Sequence, residues 1–317
     1  RLPQTEECKK EQLEVLVLVS APLQILGIPE GSLDMFQRGE GLAKELGDNR
    51  RLAFFYGRLS TYHMFHGDPL LGVQYSEHAV EEGRKSEDLD LIVPAAYGLC
   101  GSYMGAGQLH ELIATARDVI DLIKKKERTP EFFALHVNAY AGLSAYCGLC
   151  LGWMGNFQEG ELFLEKGLRH ATRIGDLRTL AVVEFFYGNF CHAKGDWQAA
   201  AEHHQKTITY CEEAKFVGFL SWSWGYLGSS YTYLGDPETG RSYGEKALKM
   251  QQDSGIRVFL GWQHVVLGNT YLQLGDLEKA RALMEEGLRL CRKNNEKYWE
   301  ANAWIFLGRI LGLAETP

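Results

Sequence analysis

The chain holds 317 residues, 45% hydrophobic and 23% charged, with 35 glycines and only 8 prolines. That composition excludes disorder, collagen and a disulfide scaffold, and glycine without matching proline or serine is not a linker either. A formal charge of -8 argues against a nucleic-acid surface, which needs a basic face to neutralise phosphates.

At the N-terminal end, Arg1 stands where a Met would, and no basic-then-apolar leader follows. The sequence therefore reads as a piece cut from a longer polypeptide. The strongest apolar run, Leu13 to Ile28, contains Glu14 and Pro22 and is too short to span a bilayer comfortably, so no membrane contact is expected. Seven cysteines (Cys8, Cys100, Cys147, Cys150, Cys191, Cys211, Cys291) are an odd number scattered over a long chain. They predict reduced thiols and a cytoplasmic location.

Glycine keeps a period. Gly27, Gly67 and Gly107 advance by 40 residues, as do Gly155, Gly195, Gly235 and Gly275, while the interval from Gly107 to Gly155 is 48. A second series, Gly148, Gly188, Gly228, Gly268 and Gly308, takes the same 40-residue step. Two series in one phase mark an internal repeat. The first series sits in turns such as His66-Gly67-Asp68, Met154-Gly155-Asn156, Lys194-Gly195-Asp196, Leu234-Gly235-Asp236 and Leu274-Gly275-Asp276. There glycine ends one helix in a left-handed conformation and the following Asp or Asn caps the next. Pro69 and Pro237 follow their caps at the first helical position, which proline tolerates. Apolar residues at helical spacing, as in Leu277, Ala280, Leu283, Met284, Gly287 and Leu288, predict helices on both sides of each turn. The second series falls mid-helix, where glycine costs up to about 1 kcal/mol relative to alanine. It predicts close approach of a neighbouring helix, with Ala200, Ala247 and Ala280 as the matching small positions.

The 48-residue interval contains Lys124-Lys125-Lys126-Glu127-Arg128-Thr129-Pro130-Glu131. Thr129 as N-cap, Pro130 as first residue and Glu131 beside the N-terminus predict one long helix from Pro130 to Trp153. It would overhang its neighbours by about two turns and carry Phe132, Phe133 and His136.

Leu267-Gly268-x-x-Tyr271-x-x-x-Gly275-x-x-x-x-Ala280 resembles the core of the tetratricopeptide repeat, and Leu227-Gly228-x-x-Tyr231-x-x-x-Gly235 repeats it. Trp224 and Trp304 stand where that motif often opens with tryptophan. Gly240 departs from its alanine, and Cys191 and Leu151 from its tyrosine. The resemblance implies an all-α fold, a right-handed superhelix of antiparallel helix hairpins over residues 1–317. Seven hairpins and a closing helix are expected, degenerate over 9–106 and regular over 130–312. The period exceeds the usual ~34, implying helices of roughly 18 residues, as in cell-polarity adaptors and bacterial signalling ATPases. Leu2-Pro3, Glu11 to Leu16 and Ala43 to Asp48 resemble the start of the helical tail behind the ATPase module of class III adenylate and guanylate cyclases and related bacterial regulators.

In tetratricopeptide arrays the first helix of each hairpin lines a concave groove. Carried over from the turn glycines, the groove positions are Phe54, Thr61, Met64, Tyr97, Met104, Leu149, Trp153 and Val182. They continue through Phe185, Asn189, His192, Trp222, Ser229, Tyr233, Trp262, Asn269, Leu272 and Gln273. This face is aromatic with an Asn189, Ser229, Asn269 polar track, and it lacks the lysines and arginines of a carboxylate clamp. Trp222 and Trp262 stand one period apart and read equally as groove anchors or as core. Asn189 and Asn269 favour the groove, because an asparagine in a dry core needs partners.

Catalytic chemistry is not evident. Gly105-Ala106-Gly107 lacks the Lys and hydroxyl of a phosphate loop, and no nucleophile elbow or zinc-protease helix occurs. Cys147-Gly148-Leu149-Cys150 reads as two core thiols. His63, His66 and Asp68 are too few for a convincing metal site, and His203-His204 read as solvent-exposed. No catalytic residue, metal or cofactor is expected. The leading expectation is a noncatalytic interaction module that binds a peptide or partner segment in its aromatic groove, as the regulatory part of a larger signalling protein. One alternative is a small-molecule sensor, for which an enclosed pocket would be the sign. Another is self-association through apolar ends, Leu13 to Leu26 and Tyr298 to Leu311.

Overall fold

Turn chemistry sets the helix boundaries. Gly195 adopts φ +82° after α9 (Leu177–Lys194), and the Asp196 side chain then accepts from the Ala199 amide at 3.1 Å to open α10 (Trp197–Glu213). The same device recurs where Asp236 accepts from Thr239 N at 3.1 Å and Pro237 begins the helix. In this computed structural model, residues 5–25, 28–29 and 31–314 are described. Leu2-Pro3, Leu26 and Gly27, for which expectations were stated, lie outside them.

In chain order the remaining helices are α1 (Glu6–Ile25), α2 (Ser32–Leu46), α3 (Asn49–Phe65), α4 (Pro69–Lys85), α5 (Leu89–Ala106), α6 (Leu109–Lys125), α7 (Ala139–Trp153) and α8 (Phe157–Ile174). Beyond α10 come α11 (Leu220–Tyr233), α12 (Pro237–Ser254), α13 (Leu260–Gln273), α14 (Leu277–Lys293) and α15 (Lys297–Ala314). Among the described residues there is no strand. The architecture is an all-α solenoid in which each helix packs on its sequence neighbours. No helix of the described residues is long and apolar enough to cross a membrane.

Of the mid-helix glycines, Gly148, Gly228 and Gly268 mark contacts with a neighbouring backbone, while Gly188 meets the His204 ring. A Cβ on Gly228 would lie 2.6 Å from the Gly240 carbonyl and 3.0 Å from the Gly244 amide, so α11 and α12 touch through bare backbone. Gly240 stands where the motif has alanine because its own Cβ would meet Gly228 O at 2.7 Å and Thr232 Oγ1 at 2.3 Å. Ala200, Ala247 and Ala280 are fully buried at the expected small positions. Gly308 departs from its series: nothing stands within 4 Å of the place a Cβ would take, because no following helix covers α15 among the described residues.

The expected helix from Pro130 to Trp153 is corrected. Residues 126–138 form an ordered loop, and α7 starts only at Ala139. Asn138 takes over as cap, accepting from Ala141 N at 3.0 Å and donating to the Thr129 and Glu131 carbonyls at 2.9 and 3.0 Å. Phe133 and Ala134 adopt left-handed φ of 51° and 58°, which turns the chain so that Phe133 and Val137 enter the core. Burying two apolar side chains outweighs the local preference of Thr129-Pro130 for starting a helix.

The solenoid closes on itself. Arg257 N and Val258 N, in the α12–α13 loop, both donate to the Phe65 carbonyl at the end of α3, at 2.8 and 3.3 Å. Behind this clasp, Asn294 Nδ2 donates to Arg257 O at 3.2 Å, and Glu296 Oε1 accepts from Phe259 N at 2.8 Å. Glu296 is 1% exposed and its Oε2 has no partner. At the two ends, Val15, Leu18 and Val19 on α1 and Trp304, Ile305 and Leu311 on α15 are exposed.

Two predictions follow from this packing. Gly228→Ala should destabilise the chain by about 1–3 kcal/mol through overpacking, whereas Gly308→Ala should stabilise it by up to about 1 kcal/mol. Urea unfolding of both variants checks the opposite signs. Burial pushes the Glu296 carboxyl up from 4.5 to about 7. A raised carboxyl pKa means stability present at low pH and lost as pH climbs from about 4.5 to 7, by at most about 3 kcal/mol. Buried His192 and His204, whose pKa values are lowered, act oppositely as pH falls. The diagnostic is therefore the stability difference between wild type and Glu296→Gln, which should grow in the variant's favour over that range and level off above it.

Candidate functional site

Because the ring is closed, its inner face is an interior. Phe185 on α9 packs against Phe219 at 4.9 Å, Tyr226 at 6.0 Å and Trp222 at 6.2 Å between ring centroids. Trp262 lies 4.1 Å from Tyr226 and 5.5 Å from Trp299. Phe185, Trp222 and Trp262 are all buried. These aromatic candidates are thus packed against one another rather than laid open to solvent.

The polar candidates converge. Asn189, His192, Ser229, Tyr233 and Asn269, together with Trp262, line one cavity of about 80 Å³ that Trp153, Tyr298, Trp299 and Asn302 complete. Phe185 and Trp222 lie beside a second, smaller void of about 20 Å³ that shares Asn189. Gln273 is exposed and lies outside both. Asn302 and Trp299 were not among the sequence candidates for the groove, although Trp299 follows Phe259, and Asn302 follows Trp262, by one repeat period. That step was the available signal.

The cavity is uncharged: no Asp, Glu, Lys or Arg lines it. His192 Nε2 hydrogen-bonds Ser229 Oγ at 2.8 Å, and burial pushes its pKa down to about 4, so the ring is neutral at physiological pH. Asn189 and Asn269 are buried, yet Oδ1 of each lacks a hydrogen-bond partner, as does Trp222 Nε1. An unpaired buried amide oxygen costs about 1–3 kcal/mol, so three orphans together in one interior are unusual and expensive.

Other sequence expectations fall elsewhere. His204 is not solvent-exposed: it is fully buried, stacks on Tyr226 at 5.0 Å and leaves both ring nitrogens unpaired. Gly188 makes room for it, since a Cβ there would lie 2.6 Å from His204 Nε2. His203 is half-buried and pairs with Glu184. His66 hydrogen-bonds the Tyr62 carbonyl at 2.8 Å, and His63 stacks on Tyr75 at 5.4 Å. Cys147 and Cys150 are buried thiols, and burial pushes Cys147 up to about 12. Among the described residues, no group of three or more His, Cys, Asp or Glu could hold a metal ion.

A tetratricopeptide repeat family model matches residues 219–293, covering α11 to α14. No curated protein matches the sequence. Solved structures do. A Rap protein complexed with Competence and Sporulation Factor is 16% identical, with a TM-score of 0.69 over 100% of this chain and 90% of that one. Aspartyl phosphate phosphatase F from Bacillus subtilis is 13% identical, with a TM-score of 0.66 over 90% and 72%. A signal transduction ATPase with a tetratricopeptide repeat sensor, from Pyrococcus horikoshii, is 17% identical, with a TM-score of 0.59 over 94% of this chain and 43% of that one. Residues 219–293, α11 to α14, thus carry the tetratricopeptide repeat sequence, and the chain as a whole has the fold of these helical-repeat solenoids.

The orphaned amides yield a stability test. Asn189→Leu keeps the branched shape and heavy-atom count, adds bulk that the adjoining cavity can take, and removes the unpaired oxygen, so it should raise stability by about 1–2 kcal/mol, read as a higher Tm. A lower Tm would mean that the amide is satisfied in the free protein.

Proposed function

We propose that the chain is a noncatalytic regulatory interaction module, the sensing part of a larger signalling protein, and that it receives a segment of a protein partner at the Asn189–Asn269 cavity. The observation that carries this reading is the pair of buried asparagines, each with an amide oxygen that lacks a hydrogen-bond partner, that line one uncharged, aromatic-walled cavity. Amides left unsatisfied in the free protein gain their hydrogen bonds when an occupant arrives, which makes the cost of leaving them bare intelligible. The fold supports it too. The similar Rap protein was solved with Competence and Sporulation Factor, and the Pyrococcus horikoshii ATPase carries a tetratricopeptide repeat sensor.

A second reading, a small uncharged effector, is favoured by the size of the cavity, about 80 Å³, since a continuous peptide groove would run further along the inner face. Affinity capture from extract of the source cells tests both, using wild type beside Asn189→Leu plus Asn269→Leu. The expected outcome is a protein partner retained by wild type and lost by the double variant, with cooperative unfolding intact in both. Retention of the same partner by both would overturn the inner-face site. A small molecule released from wild type alone, and seen by native mass spectrometry, would replace the first reading with the second.

A further inference from the structure

Trp153, at the C-terminal end of α7, is bridged across the interior by the first turn of α15. Tyr298 stacks on it at 4.7 Å with the rings 17° from parallel, and Trp299 meets it edge-on at 5.8 Å while also contacting Trp262 at 5.5 Å. The helices that pack on α15 are α14 and α13, so its attachment to α7 is carried by these side chains. Tyr298 and Trp299 both line the cavity bearing the unpaired asparagines, and they are half-buried rather than sealed in.

The clasp beside this bridge holds unfavourable features. Phe259 takes a left-handed φ of 62°, which a bulky residue rarely adopts, and the Glu296 carboxyl is buried at 1% exposure. Glu296 lies two residues before Tyr298 and holds the Phe259 amide. Opening the clasp would hydrate that carboxyl, release the backbone strain and withdraw Tyr298 and Trp299 together. The closed state is therefore poised against an open one, held by the hydrogen bonds to the Phe65 carbonyl and by the aromatic bridge.

Resting on the inner-face site proposed above, we infer that Tyr298 and Trp299 are an internal occupant of the partner's seat, and that the partner segment presents adjacent aromatic side chains which displace them from Trp153. A segment with that chemistry replaces the aromatic contacts the opening gives up, so the exchange needs little net energy.

An engineered lock tests this. A Cβ on Gly107 would lie 4.0 Å from Lys297 Cβ, within the usual disulfide range of about 3.5–4.5 Å. The pair Gly107→Cys and Lys297→Cys should therefore tether α15 to the end of α5; because Gly107 holds φ +76°, the cysteine there strains the oxidised and reduced forms alike, and the two are compared with each other. The probe is an end-capped peptide with a central tyrosine-tryptophan pair flanked by alanines. Binding by fluorescence anisotropy should fall at least about tenfold in the oxidised pair and recover on reduction, whereas Tyr298→Ala plus Trp299→Ala should tighten it about tenfold by removing the internal competitor. Circular dichroism checks that each variant keeps its helices.

Equal binding by oxidised and reduced forms, no tightening in the alanine pair, or no binding of the probe to any form would overturn the inference. Capture of a cellular partner that depends on Asn189 yet ignores the lock would leave the inner-face site standing and remove only the internal occupant. Loss of that capture's dependence on Asn189 would remove the site itself.

Discussion

Where Gly228 crosses Gly240, two helices are separated by backbone alone, and a single methyl group would stand 2.6 Å from a carbonyl. Such a contact fixes the distance and angle between paired helices more firmly than large side chains, whose rotamers adjust. Repeated where Gly148 meets the Gly160 carbonyl, it sets the spacing of the two helices within a hairpin, and the stacking of successive hairpins brings the α12–α13 loop back to the end of α3.

Much of the fold was legible because its causes are local. The turn glycines, the Asp caps and the period each involve residues within a few positions of one another, and α9 to α14 read directly from them. The loop over 126–138 did not, since Thr129-Pro130-Glu131 has good start chemistry and loses to Asn138, whose cap is reinforced by Thr179 from another helix at 2.9 Å. His204 was misread for a related reason. Two adjacent histidines look solvated, and only the packing of α10 against α9, opened by Gly188, shows that one of them has a seat.

The site was half legible. Counting back from the turn glycines placed Asn189, Ser229 and Asn269 on one face, and they do share a cavity with His192, Tyr233 and Trp262. What a count of residues could not supply is curvature. An inner face drawn as an open groove becomes an interior once five hairpins bring the clasp together. Trp299, read from sequence as part of an apolar end, then lies across from Trp153. The outward residues of the same helix, Trp304 and Ile305, do remain exposed. One helix thus serves the interior with its first turn and faces outward further along.

The hydrogen bonds from Arg257 and Val258 to the Phe65 carbonyl also change the mechanics of the chain. An open solenoid behaves as a spring, in which each hairpin bends independently and disturbances fade with distance. A hoop does not. Once its circumference is joined, a change of angle at one hairpin must be compensated by the others or by parting the seam. A small expansion at the cavity between α9 and α13 would then be registered at α3, on the far side of the join, without passing through every hairpin between.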